Sequence, residues 1–137
     1  MYIPVHFKLY ELLPEDYYNE MYPVFGNFLW NIFCRTGLET IDALREEYGR
    51  MLANDWYWGG KNQYRGYRPP ECKIGAKLSQ HRFGRAFDLI PLDTKLEVIR
   101  RDILAGKWPQ IKGLELNVSW LHIDFRNSSR LVTFSPK

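Results

Sequence analysis

The sequence predicts an α+β domain. Three observations predict it: amphipathic helical patterns fill the first half, short β-prone runs follow in the second, and the composition is ordinary for a globular chain. Of the 137 residues, 45% are hydrophobic and 26% charged. At this length roughly 68–70% of the unfolded surface leaves water on folding, enough for a core without disulfides. One domain over residues 1–137 is expected, with N-terminal helices packed on a small antiparallel sheet. Cys34 and Cys72 are too few for a disulfide scaffold and too far apart for a CxxC site.

Residues 8–21 carry a helical pattern broken at Pro14, which suits a first helical position because its missing N–H has no partner there. Residues 24–35 put Phe25, Phe28, Leu29, Ile32 and Phe33 at helical spacing. The clearest helix spans 38–52, with Leu38, Ile41, Leu44, Tyr48 and Leu52 on one face and Thr36 or Thr40 as its cap. Residues 54–60 hold Trp56, Tyr57 and Trp58 before Gly59-Gly60, the pattern of a short strand ending in a turn. Pro69, Pro70 and Gly75 make 66–76 a loop. Residues 85–90 read as a strand around Asp88, and 94–104 as a helix with Leu96, Ile99, Ile103 and Leu104 inward. Two strands follow at 114–116 and 120–125, joined by a tight turn at Asn117-Val118, with a further strand at 130–134.

No apolar run approaches the ~18 residues of a membrane span. The start Met1-Tyr2-Ile3-Pro4-Val5-His6 lacks the basic and apolar stretches of a secretory signal, so synthesis in the cytoplasm is expected. The net charge of +3 is small for a nucleic-acid binder. Tyr64-Arg65-Gly66-Tyr67-Arg68 and Arg100-Arg101 could stack bases, but the near-balanced charge argues against a nucleic-acid partner. The chain is expected to be a monomer.

Three residues carry the chemistry: His81, Asp88 and His122. Gly84 lets the chain turn so that His81 folds back beside Asp88. On a strand, His122 shares its face with Trp120 and Asp124, while Leu121, Ile123 and Phe125 point to the other side. Each residue alone is more often structural. Together, two imidazoles and one carboxylate are a common catalytic zinc set that leaves a fourth position for water. Cobalt or manganese suit the same ligands less well. No HExxH helix is present.

Ser79-x-His81-x-x-Gly84-x-Ala86-x-Asp88, followed by Trp120-x-His122-x-Asp124, resembles the zinc-dependent D-Ala-D-Ala carboxypeptidase and endopeptidase family of peptidoglycan hydrolases, phage-encoded members especially. Arg65-Gly66-Tyr67-Arg68-Pro69 is similar to that family's Ser-Gly-Tyr-Arg segment, with Arg65 in place of Ser. Phe7-Lys8-Leu9-Tyr10-Glu11-Leu12 and Leu44-Arg45-x-x-Tyr48-Gly49 match its lead-in, so the resemblance covers roughly residues 7–126.

The resemblance implies a Zn²⁺ site on the sheet with His81, Asp88 and His122 as ligands. Arg68 and Ser79 would then bind substrate, a peptidoglycan stem peptide. Several relatives place an acid three residues before the second histidine, where this chain has Ser119. Glu115 is therefore the first choice for the catalytic base and Asp124 the second, Asp124 otherwise serving to orient a ligand imidazole. The implied activity is hydrolysis of an amide bond, by a D,D-carboxypeptidase or an endopeptidase, used for lysis or wall penetration after holin release or virion delivery. The alternative is a catalytically silent, metal-stabilised binding module of the same fold.

Overall fold

The computed structural model describes residues 1–136. Three helices, α1 (Glu15–Phe25), α2 (Arg35–Tyr48) and α3 (Leu96–Leu104), accompany five strands: β1 (Met51–Leu52), β2 (Ala86–Pro91), β3 (Gly113–Glu115), β4 (Leu121–Asp124) and β5 (Val132–Phe134). The strands form one sheet in the order β1-β2-β4-β3-β5. The fold is α+β, as its sequence predicts, but the sheet is mixed rather than antiparallel. β5 runs parallel to β3, pairing Gly113 with Val132 and Glu115 with Phe134, while the other neighbours are antiparallel.

The register of the central pair sets Phe87 opposite Ile123 and Asp88 opposite His122. Side chains alternate across a strand, so one face receives Phe87, Leu89, Leu121 and Ile123. These are fully buried in one core with Leu38, Ile41 and Leu44 of α2, Ile99 of α3 and Leu114 of β3. The other face is left to Asp88, His122 and Asp124. Gly37 of α2 lies so near Phe87 and Phe125 that the helix backbone rests on the sheet.

The helices divide unequally. α2 buries half of its residues, whereas α1 has none buried and rests on the core only through Tyr17, Tyr18 and Met21. The N-terminal segment is tied to α2 by Asp42, which accepts from Tyr2 Oη at 2.6 Å, Val5 N at 2.7 Å and His6 N at 2.9 Å.

Several expected boundaries move. The helix expected over 38–52 begins earlier and stops at Tyr48. Gly49 caps it, and Met51 and Leu52 instead pair with Pro91 and Ile90. The helical spacing of 24–35 resolves into the end of α1 and a 3-10 segment, Gly26–Ile32. The strand expected at 54–60 is a 3-10 turn, Trp56–Trp58. Its Trp56 is held by an indole N–H bond to Leu13 O at 2.8 Å, and Asn54 Nδ2 donates to the same carbonyl at 3.1 Å. Tertiary anchoring wins over the β propensity of the aromatics.

Leu44 is fully buried under the sheet, so Leu44→Ala should cost about 2–5 kcal/mol of stability by urea unfolding. A loss below about 1 kcal/mol would contradict the packing of α2. The Tyr2 phenol is pushed up to about 12 by its bond to Asp42, then by burial and by the charge of Asp42. The stability it contributes is fully present below about pH 10 and is lost as pH rises toward 12. Tyr2→Phe should flatten that alkaline decline in a pH series of melting curves.

Candidate metal centre

Each of the three central residues comes from a different local structure. His81 lies in a 3-10 turn, Gln80–Phe83, whose start is capped by Ser79 Oγ accepting from His81 N at 3.3 Å. The turn closes at Gly84, in the left-handed region with φ +67°, where a Cβ would overlap the Ile32 carbonyl. Asp88 and His122 are cross-strand partners on β2 and β4. The ligand atoms of His81, Asp88 and His122 all lie within 4.8 Å of one another, and all three residues are buried.

The hydrogen bonds fix which nitrogen of each ring faces the centre. His81 Nδ1 donates to Gly66 O at 2.8 Å, because a carbonyl can only accept. Its Nε2 is therefore turned inward, 3.3 Å from Asp88 Oδ2, and is a buried atom without a hydrogen-bond partner. His122 Nε2 meets Asp124 Oδ2 at 3.1 Å, and Nδ1 meets Asp88 Oδ1 at 2.7 Å. Two inward nitrogens, one of them the orphaned Nε2 of His81, and one carboxylate fit a divalent ion. Tetrahedral ligands bonded at about 2.0–2.1 Å stand roughly 3.3 Å apart, which is the separation of His81 Nε2 from Asp88 Oδ2. His81, Asp88 and His122 could thus hold a metal ion.

Asp124 is fully buried and gripped by Arg126 through two bonds of 2.7 Å. It acts on His122 from behind the centre, as a group that orients an imidazole does. The room for it comes from Gly113 on the paired strand, where a Cβ would overlap the Asp124 carboxylate. Burial alone would raise the Asp88 carboxyl, but the bond from His122 and the adjacent His81 ring outweigh it and hold it well below the usual carboxylate range. Burial would lower His122, yet Asp124 and then Asp88 lift it to about 9 in the metal-free protein. Asp124 itself is held down at about 2 against its burial by Arg126 and His122.

The centre lies in a cleft of about 770 Å³ whose lining also includes Arg68, Ser79, Glu115, Trp120 and Phe134. The candidate metal ligands, the two candidate bases and the two candidate substrate-binding residues therefore all line one cavity. Arg68 is mostly buried. Its Nε donates to Tyr64 O at 2.9 Å and its Nη2 lies 3.5 Å from Asp88 Oδ2. Burial pulls its pKa down, and the charge of Asp88 offsets only part of that. Glu115 ends β3 on the cleft side, and among the described residues its carboxylate has no hydrogen-bond partner. It arrives there without the tight turn expected at Asn117-Val118. Five residues, 116–120, connect β3 to β4, with Asn117 at φ 61°.

Three contributors were missed in the sequence. Arg126 continues the alternation of His122 and Asp124, a signal that extending the strand pattern by one step would have exposed. Phe134 packs edge-on against His122 with ring centroids 5.4 Å apart, and Arg126 lies over Phe134 at 4.9 Å; β5 delivers it by parallel pairing that no local pattern announces. Arg82 binds the carbonyls of Pro69, Cys72, Ile74 and Ala76 at 2.7–3.3 Å, fixing the loop that walls the cleft. Comparison with protein-family models, curated sequences and solved structures finds no match to the chain.

Metal titration should give one site per chain. His81→Ala, Asp88→Ala and His122→Ala should each abolish it, and Asp124→Ala should weaken it about 10–100-fold. Unaltered affinity in any of the three ligand variants, by calorimetry or chelator competition, would refute the centre.

Proposed function

We propose that the chain is a zinc-dependent peptidase that hydrolyses an amide bond in the stem peptides of bacterial peptidoglycan. The observation that carries this reading is the convergence of His81, Asp88, His122, Arg68 and Glu115 on one cleft. Among the described residues no helix is long and apolar enough to cross a membrane. The resemblance of the same residues to the D-Ala-D-Ala carboxypeptidase and endopeptidase family supports the choice of substrate.

Imidazole and carboxylate ligands suit zinc, and a bound zinc ion supplies a Lewis acid for the carbonyl and brings the pKa of water toward about 7. The chain's own residues perform the remaining work. Glu115 takes a proton from the attacking water and passes it to the leaving amine. Arg68 meets the substrate's carbonyl or carboxylate with a planar, charged fork and stabilises charge developing on oxygen. Asp124, braced by Arg126, keeps the His122 ring in place. Trp120 and Phe134 wall the cleft and limit access of bulk water. Ser79 holds the turn that presents His81. Action on the cell wall would follow holin release or delivery with a virion.

A second reading is a metal-stabilised binding module without turnover. Ser119, standing where related enzymes place an acid, favours it. Digestion of purified sacculi with zinc-loaded protein, read by mass analysis of released fragments, separates the two. The peptidase should release new peptide ends. Glu115→Gln should reduce that release about 10²–10⁴-fold while metal stoichiometry stays at one. Absence of new fragments from every wall type would remove the hydrolase reading, and retained partner affinity in Glu115→Gln would then favour the binding module.

A further inference from the structure

The cleft does not end at Arg68. A second hollow of about 250 Å³ shares Arg68, Ile74, Asp88 and Trp120 with it and continues to Lys61, Gln63, Tyr64 and Arg65. The candidate metal centre thus sits partway along a trough. One arm runs toward Glu115 and Phe134, the other toward Lys61 and Arg65.

The second arm is cationic and firmly built. Arg65 N donates to Asn54 Oδ1 at 2.9 Å, and Arg65 O accepts from the backbone N–H of Asp88 at 2.8 Å, so its backbone is fixed beside a ligand residue. Asn62 is held by Asp55 through bonds of 2.8 and 3.1 Å, and Gln63 Oε1 accepts from Glu15 N at 3.1 Å. Yet among the described residues neither the Arg65 guanidinium nor the Lys61 ammonium has a hydrogen-bond or ion-pair partner. Asp88 is the one carboxylate lining this arm, and it is already engaged with His81, His122 and Arg68. Two cations on an anchored segment, facing a hollow without a free counter-charge, suit an anionic ligand group.

We infer that the Lys61–Arg65 arm is a substrate subsite for a peptide group that bears a free carboxylate. Its place in a substrate rests on the peptidase reading; its preference for a carboxylate does not. Arg65 occupies the position of serine in the family that the chain resembles, which makes the subsite a feature of this chain's own residues. A guanidinium fork there donates two parallel bonds to a carboxylate, an arrangement that an uncharged amide with one acceptor oxygen cannot match.

The test compares the blocked peptides Ala-Glu-Lys-Ala and Ala-Gln-Lys-Ala, each made with an L- or D-configured acidic or amide residue. Binding to the zinc-loaded Glu115→Gln protein is measured by calorimetry, with Arg65→Ser and Arg65→Lys introduced into the same background. The acidic peptide of one configuration should bind about tenfold more tightly than its amide, as a charge-assisted hydrogen bond provides. Arg65→Ser should bring that ratio near one, and Arg65→Lys should restore part of it. Equal or undetectable binding of every pair, or a ratio unmoved by Arg65→Ser, overturns the subsite. Sacculus digestion by the unmodified protein, run in parallel, reads hydrolysis separately. An Arg65-dependent ratio without hydrolysis would leave the subsite standing and remove the peptidase reading. Hydrolysis without the ratio would do the reverse.

Discussion

The pairing of β2 with β4, in the register that sets Asp88 opposite His122, is the constraint on which the rest depends. A strand has a side-chain period of two, so a slip of one residue would turn every side chain to the opposite face. Such a slip would bring Asp88 under the sheet and expose Phe87 and Leu89, all at large cost. The fully buried Phe87, Leu89, Leu121 and Ile123 therefore lock the positions of the polar groups on the far side. The hydrophobic core and the metal centre are two faces of one pairing decision.

Charge on the polar face is arranged in alternation. Arg126, Asp124, His122, Asp88 and Arg68 follow one another through contacts of 2.7–3.5 Å. Burial opposes the charged form of each of the two carboxylates and of the His122 imidazole, and neighbours of opposite sign outweigh it. A buried series of this kind contributes little net stability but penalises any arrangement that leaves one member alone. Its role is to fix orientation. The orphaned His81 Nε2 is the exception, and it is the atom that turns an ion-pair network into a candidate ligand set.

Much of this was legible in the sequence because two periodicities were strong. The alternation around His122 gave the face shared with Asp124, and the helical spacing of Leu38, Ile41 and Leu44 gave the buried side of α2. Boundaries failed where long-range contacts decide. Met51 and Leu52 fit a helical stripe as well as a strand, and only pairing with Pro91 and Ile90 selects the latter. The aromatics at 56–58 favour a strand locally, but the Trp56 indole bond to Leu13 holds a turn. The parallel direction of β5 had no local signature, so the mixed sheet and the placement of Phe134 against His122 were out of reach. Residues 81 and 88 were read correctly as neighbours because Gly84 marks the one place where the chain can reverse between them.

Arg82 has a different kind of consequence. One guanidinium serves four carbonyls of the wall between Pro69 and Ala76, a stretch with no helix or strand of its own. The path of that wall is thus set in large part by a single side chain outside it. Because Arg82 grips carbonyls and not side chains, exposed wall residues such as Lys73 and Ile74 can be exchanged with the grip intact, so the preference of the trough for its guest can be retuned independently of the centre beneath it.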